Sequence, residues 1–241
     1  MKKTAAKDRI IVALDVEDMY EALRLVELLH ADVGAFKIGK QLFTARGPEA
    51  VRRIHKLGGR VFLDLKFHDI PTTVARASVE AARHGVFMFN MHALGGLAMM
   101  QEAVKAVRAL PGAELRPLMI AVTVLTSMGP DDLKPLGITL PIDELVPRLA
   151  LLAKEAGMDG VVASPREIGL IKKACGPDFL VVTPGIRPRG ADANDQKRAM
   201  TPAEAVQAGA DFIVVGRPIT HAIDPQAAAR SIAQEMSPVL S

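Results

Sequence analysis

Two aspartates and a lysine fall within six positions of an otherwise apolar stretch, Leu63-Asp64-Leu65-Lys66-Phe67-His68-Asp69. A lysine flanked by carboxylates is kept charged and oriented, because nearby opposite charges favour the ionised form of each partner. An ammonium held in that way can stabilise negative charge as it develops on a reacting atom. Other polar side chains close apolar runs elsewhere: Asp15, Lys37, His92, Thr123 and Thr126. In TPGIRP and VVGRP a glycine precedes or adjoins an arginine, Arg187 and Arg217. Gly216 would let an oxyanion approach the backbone, and Arg217 can give it a two-pronged contact. No Ser–His–Asp arrangement and no His/Cys/carboxylate set at metal-ligand spacing accompanies these residues. The expected chemistry is therefore that of lysine and carboxylates acting without metal or cofactor on a small phosphorylated molecule.

Residues so far apart in sequence need a scaffold that gathers them. β-rich runs occupy 10–15, 35–39, 60–66, 86–93, 118–125, 160–164, 179–185 and 212–217, with helical patterns between them. Strands alternating with helices imply parallel pairing through crossovers. Ser164-Pro165-Arg166-Glu167 and Thr201-Pro202-Ala203-Glu204 both read as capping boxes with proline at the first helical position. No linker or shift in composition divides the chain, so residues 1–241 are expected to form one α/β domain, a (β/α)8 TIM barrel. A doubly wound open sheet is the runner-up, weakened because no GxGxxG follows the first strand.

A barrel makes a sharp demand: functional side chains belong at the C-terminal ends of strands and in the loops beyond. Alternation along a strand puts Asp64 and Lys66 on one face and Leu63 and Leu65 on the other. With the leucines toward the helices, both charges point into the barrel mouth. The same parity turns Lys37 inward between Phe36 and Ile38. Buried charges seldom stabilise a fold better than apolar replacements, which argues against a purely structural cluster. The polar segments 187–200, which contains Gln196, and 127–141 are long enough to act as lids.

Composition excludes several classes. The 30 Lys and Arg residues nearly balance 27 Asp and Glu, and no basic stripe or aromatic platform suits nucleic acid. The basic start MKKTAAKDR lacks the apolar stretch of a signal peptide, and no apolar run is long enough to span a bilayer. The single cysteine, Cys175, excludes an internal disulfide and fits a reducing, cytoplasmic setting, where it reads as a small packing residue.

In order along nearly the whole chain stand ALDV, FKIG, DLKFHDIPTTV, HALGG, VTVLTS, TPGIRP and VVGRPIT. Together they resemble bacterial members of the orotidine 5′-phosphate decarboxylase family, and DxKxxDIPxT is their most specific element. The resemblance implies cofactor-free conversion of orotidine 5′-phosphate to UMP and CO2 in pyrimidine biosynthesis. It implies that Asp15 and Lys37 hold ribose hydroxyls, that Asp64 lies against the departing carboxylate, and that Lys66 donates a proton to C6. It further implies a homodimer with shared active sites, Asp69 coming from the partner subunit with Ile70 and Thr73 beside it. Thr126 would contact the pyrimidine, Arg187, Gln196, Gly216 and Arg217 the phosphate, and His92 would give a supporting hydrogen bond. Two rivals remain: a related sugar-phosphate decarboxylase or aldolase-like lyase on the same barrel, and a non-catalytic nucleotide-binding barrel.

Overall fold

A computed structural model describes residues 5–112, 116–188 and 200–240. Eight strands, β1 (Ile10–Ala13), β2 (Ala35–Ile38), β3 (Val61–Phe67), β4 (Met88–His92), β5 (Leu118–Val122), β6 (Gly160–Val162), β7 (Leu180–Thr183) and β8 (Phe212–Val215), run in chain order. All pair in parallel, and β8 closes on β1 through Ile11↔Val214, so the sheet is a closed barrel without an edge. This is the expected (β/α)8 barrel, and it disposes of the open sheet.

Side-chain alternation divides the apolar residues into two cores. Ile11, Ala13, Ala35, Phe62, Met88, Ile120, Val182 and Val214 fill the barrel interior. The odd-even partners on the same strands, such as Val12, Phe36, Leu63, Phe89 and Ala121, join the larger core between barrel and helices. Both faces are buried, which is why the strands read as nearly continuous apolar runs. At Gly160 a Cβ would lie 2.2 Å from the Leu180 carbonyl oxygen, so glycine lets β6 and β7 approach there.

The helices form because their apolar positions recur on one face, and helices Met19–Leu29, Pro202–Gln207 and Pro225–Met236 are also capped by a side chain at their starts. Helix Met19–Leu29 buries Met19, Ala22, Leu25, Val26 and Leu29, and Asp18 accepts from the Glu21 N–H at 2.9 Å at its start. Thr201 and Glu204 form the expected reciprocal box before helix Pro202–Gln207. The Ser164 box is realised in one direction: Glu167 accepts from the Ser164 N–H at 2.8 Å. The Ser164 hydroxyl has no partner among the described residues. Between β2 and β3 lie two helices, Lys40–Arg46 and Pro48–Lys56, separated at Gly47, whose φ of 57° suits glycine.

Each expected run contains a strand, but seven of the eight end one to three residues earlier than their pattern indicates. Thr123 and Val124, for example, are buried beyond the end of β5, and the Thr123 N–H still donates to the Val162 carbonyl at 3.2 Å. The 127–141 segment carries a short helix, Pro130–Leu133, which buries Leu133. No helix among the described residues is long and apolar enough to cross a membrane. Cys175 ends helix Ile168–Cys175, buried as a packing residue.

Candidate active site

The inward ladder that is apolar at Ala35, Phe62 and Met88 turns polar at its next step, to Lys37, Asp64 and Asn90. A floor of hydrocarbon therefore underlies a layer of charge at the C-terminal mouth. The Asp64 carboxylate, 12% exposed, lies at its centre. Its Oδ1 receives the Lys66 ammonium at 2.5 Å and the Asn90 amide at 2.7 Å. Its Oδ2 is 3.5 Å from the Lys37 ammonium, which in turn donates to Asp15 at 2.9 Å. The result is an alternating row, Asp15–Lys37–Asp64–Lys66, exposed at Asp15 and most deeply buried at its two central members. Gly39 leaves space for its outer pair, since a Cβ there would sit 3.0 Å from Asp15 Oδ1 and 3.1 Å from Lys37 Nζ.

Lys66 has a backbone unlike that of its neighbours. Its φ of 55° makes it the only non-glycine residue with positive φ among those described. For a residue bearing a Cβ this region is disfavoured, and such strain tends to persist at functional positions. The cause lies in the register. Leu63 pairs with Phe89 and Phe67 with Met91, so four steps along β3 match two along β4. The extra residues form a bulge, and the expected facing of Asp64 and Lys66 toward the mouth survives it.

Asp69 stands apart from this row. It is exposed, and its carboxylate accepts from the N–H of Ile70 at 2.6 Å. Ile70 is 64% exposed and Thr73 is exposed on the first turn of helix Pro71–Arg83. Leu94, also exposed, follows β4. His92 points inward and packs against the His68 ring, with centroids 5.5 Å apart. Burial, followed by the positive fields of His68, Lys66 and Lys40, pushes the His92 imidazole down to about 4, so it is neutral at neutral pH. Among the described residues its imidazole makes no hydrogen bond.

On the opposite rim, Arg187 donates from its guanidinium to the Ile186 carbonyl at 3.0 Å. Its backbone N–H donates to Met200 at 3.0 Å, and Ile186 bridges Met200 as well. The two ends of the 187–200 segment are thus tied together. Gln196 lies outside the described residues. Gly216 follows β8 and begins the short turn Arg217–Thr220. Among the described residues an added Cβ at Gly216 would meet only that of Ala13, at an ordinary 3.6 Å, so their packing does not require glycine there. Thr126 is half-buried in the loop after β5, while Thr123 is buried and its hydroxyl donates to the Val162 carbonyl at 3.0 Å, a structural bond.

The sequence reading missed Asn90 and Gly39. Asn90 carries a signal in retrospect: in VFMFNMHA it is the polar residue at the same parity as His92, inside an apolar run. Gly39 has none beyond being a glycine after a strand.

Fold and site together define a class, a (β/α)8 barrel with a row of paired charges at the carboxyl ends of its strands, where barrel enzymes do their chemistry. Residues 8–232 match the orotidine 5′-phosphate decarboxylase / HUMPS family. The chain is 58% identical to orotidine 5′-phosphate decarboxylase of Pelobacter propionicus, covering 98% of each chain. It is 57% identical to that of Syntrophotalea carbinolica, covering 98% of this chain and 97% of the relative. A crystal structure of the Lactobacillus acidophilus orotidine 5′-phosphate decarboxylase superimposes with a TM-score of 0.84 at 39% identity, covering 94% of this chain and 98% of that one. The chain belongs to the orotidine 5′-phosphate decarboxylase / HUMPS family.

Proposed function

We propose that this chain decarboxylates orotidine 5′-phosphate to UMP and CO2, with the row Asp15–Lys37–Asp64–Lys66 as its reaction centre. The observation that carries the reading is the Lys66 ammonium, held 2.5 Å from Asp64 above an apolar floor. Loss of CO2 leaves the electron pair of the broken C–C bond on C6 of the pyrimidine. An ammonium beside that carbon attracts the charge as it develops and then delivers its proton, forming the C–H bond of UMP. Solvent reprotonates the lysine. Asp64 orients Lys66 through their hydrogen bond and also meets the substrate carboxylate, a like-charge contact that departure of CO2 relieves. Low dielectric below the mouth strengthens each of these interactions.

Asp15 and Lys37 suit the ribose hydroxyls, and Thr126 the base. Arg187, Gly216 and Arg217, with Gln196 from the 187–200 segment, would bind the phosphate. Binding energy gathered there, away from C6, can close the mouth and orient the reacting end. The chemistry asks nothing of a cofactor, so full turnover in EDTA is expected, whereas a metal-dependent lyase on the same barrel would lose it.

Asp69, Ile70 and Thr73 are best explained by a second copy of the chain. The exposed apolar side chains of Ile70 and Leu94, beside the mouth, fit a surface covered in a homodimer. Asp69 would then reach the partner's Lys66 and extend its row of charges. A reducing cytoplasm fits the lone buried thiol.

The direct test is Lys66→Ala assayed by the ultraviolet change on loss of orotidine 5′-phosphate. Turnover should vanish while UMP binding stays within a few-fold of wild type; retained turnover removes Lys66 as proton donor. Mixing Asp69→Ala with Lys66→Ala subunits should restore partial activity through sites with one wild-type copy of each residue. No recovery on mixing would mean that the sites are not shared.

A further inference from the structure

Asn90 is 1% exposed, and its register partner on β5 is Ile120 of the apolar interior. A primary amide at an inward barrel position is costly unless every one of its bonds is made to a purpose. Here both ends are used, and both partners belong to the row of charges. The amide oxygen accepts from the backbone N–H of Lys66 at 2.8 Å. Because that N–H can only donate, the orientation of the amide is settled, and its nitrogen must face Asp64 Oδ1, 2.7 Å away.

The location of these bonds explains their value. Between Leu63↔Phe89 and Phe67↔Met91, residues 64 to 66 of β3 face Asn90 of β4. The bulge removes the regular ladder partner that the Lys66 N–H would otherwise have, and the Asn90 side chain takes its place. The same contact holds the left-handed backbone at Lys66, which returns its side chain toward Asp64.

We propose that Asn90 is the positioning residue of the reaction centre. Through its two amide ends it fixes the Lys66 backbone and the Asp64 carboxylate relative to one another before substrate arrives. The inference rests on the reading of Lys66 and Asp64 as the reacting pair. It does not require Asn90 to touch the nucleotide, and its effect therefore belongs in kcat rather than in ground-state affinity. Displacements of about 1 Å at a reacting group can lower rates by roughly a hundredfold.

The experiment compares Asn90→Ala, Asn90→Asp and Lys66→Ala with wild type, measuring kcat, KM and UMP affinity from pH 5 to 8. Asn90→Ala should lower kcat by about a hundredfold, with UMP affinity changed less than about threefold and a loss that is uniform in pH. Asn90→Asp retains an acceptor for the Lys66 N–H but sets a second carboxylate against Asp64, with Lys37, Lys66 and His92 nearby. Two carboxylates in contact raise one proton affinity strongly. As pH falls, the shared proton restores a donor between them, so the ratio of variant to wild-type kcat should rise about tenfold or more from pH 8 to pH 5.

A kcat within threefold of wild type for Asn90→Ala, or affinity lost in step with kcat, would overturn the proposal. If Asn90→Ala does not fold, Asn90→Asp decides, and a pH-independent ratio overturns the proposal equally. Lys66→Ala separates the two layers of the argument. If it stays active the reading of the reaction centre fails; if it is dead while Asn90→Ala keeps its kcat, only the positioning role fails.

Discussion

Replacing Asp64 by asparagine removes one charge without changing shape, and its cost follows from what remains. The Lys37 and Lys66 ammonium groups stand 3.5 Å and 2.5 Å from the carboxylate, and all three side chains are largely shielded from water. At an effective dielectric near 20, a unit pair at 3.5 Å is worth about 5 kcal/mol before desolvation is counted. Removing one partner of a buried pair leaves the other uncompensated and typically costs about 3–5 kcal/mol. For a chain of this length each kcal/mol moves the melting temperature by about 2–4 °C, so Asp64→Asn should melt about 6–20 °C below wild type. Differential scanning calorimetry at pH 7 measures this directly. The cause is separable: Lys37 keeps Asp15 as a partner, so in a Lys66→Met background, where the cation stranded by the substitution is gone, the same substitution should cost at least about 1 kcal/mol less. A melting temperature within 2 °C of wild type, or additive costs in the double variant, would refute an electrostatic origin.

His92 sets a pH dependence of stability. Its folded value of about 4 lies below the ordinary 6.5, so the unfolded chain takes up the proton first as pH falls. Stability present above pH 6.5 is lost on going down to 4, by about 1–3 kcal/mol after allowance for partial exposure, and His92→Gln should flatten that fraction in urea melts at pH 4.5 and 7. Arg217→Ala should raise KM about a hundredfold or more with a smaller change in kcat, and unchanged KM would mean that the phosphate sits elsewhere. Gly160→Ala drives a methyl group to within 2.2 Å of the Leu180 carbonyl oxygen, so it should destabilise by about 1–3 kcal/mol in denaturant melts without altering UMP affinity.

Periodicity made the barrel legible because each strand is buried on both faces and each crossover helix has its own apolar stripe. The strand ends were harder to read. Val124 and Ala163 look like strand residues because they are buried and apolar, and the Ala163 N–H still donates to the Val182 carbonyl at 3.2 Å, yet neither lies within a strand. Parity sufficed to turn Lys37, Asp64 and Lys66 toward one another. It could not reveal the bulge, because hydrogen-bond register between β3 and β4 leaves no trace in the composition of either strand. Asn90 was overlooked for the same reason: its importance lies in what a neighbouring strand lacks. Asp69 shows a further limit, since within one chain its carboxylate meets only the Ile70 N–H among the described residues and its geometry alone assigns it no role.

The thiol of Cys175, 3% exposed, is pushed to a higher pKa by burial, which outweighs the opposing field of Lys154. Thiolate is the form that reacts with maleimides and iodoacetamides, so this position is protected from labelling by both access and charge. It is also the chain's single cysteine. A cysteine introduced on the exposed Thr139 or on Leu136 would therefore be the one reactive thiol of the molecule. A fluorophore attached there can report whether nucleotide moves the 127–141 segment in an otherwise unaltered protein.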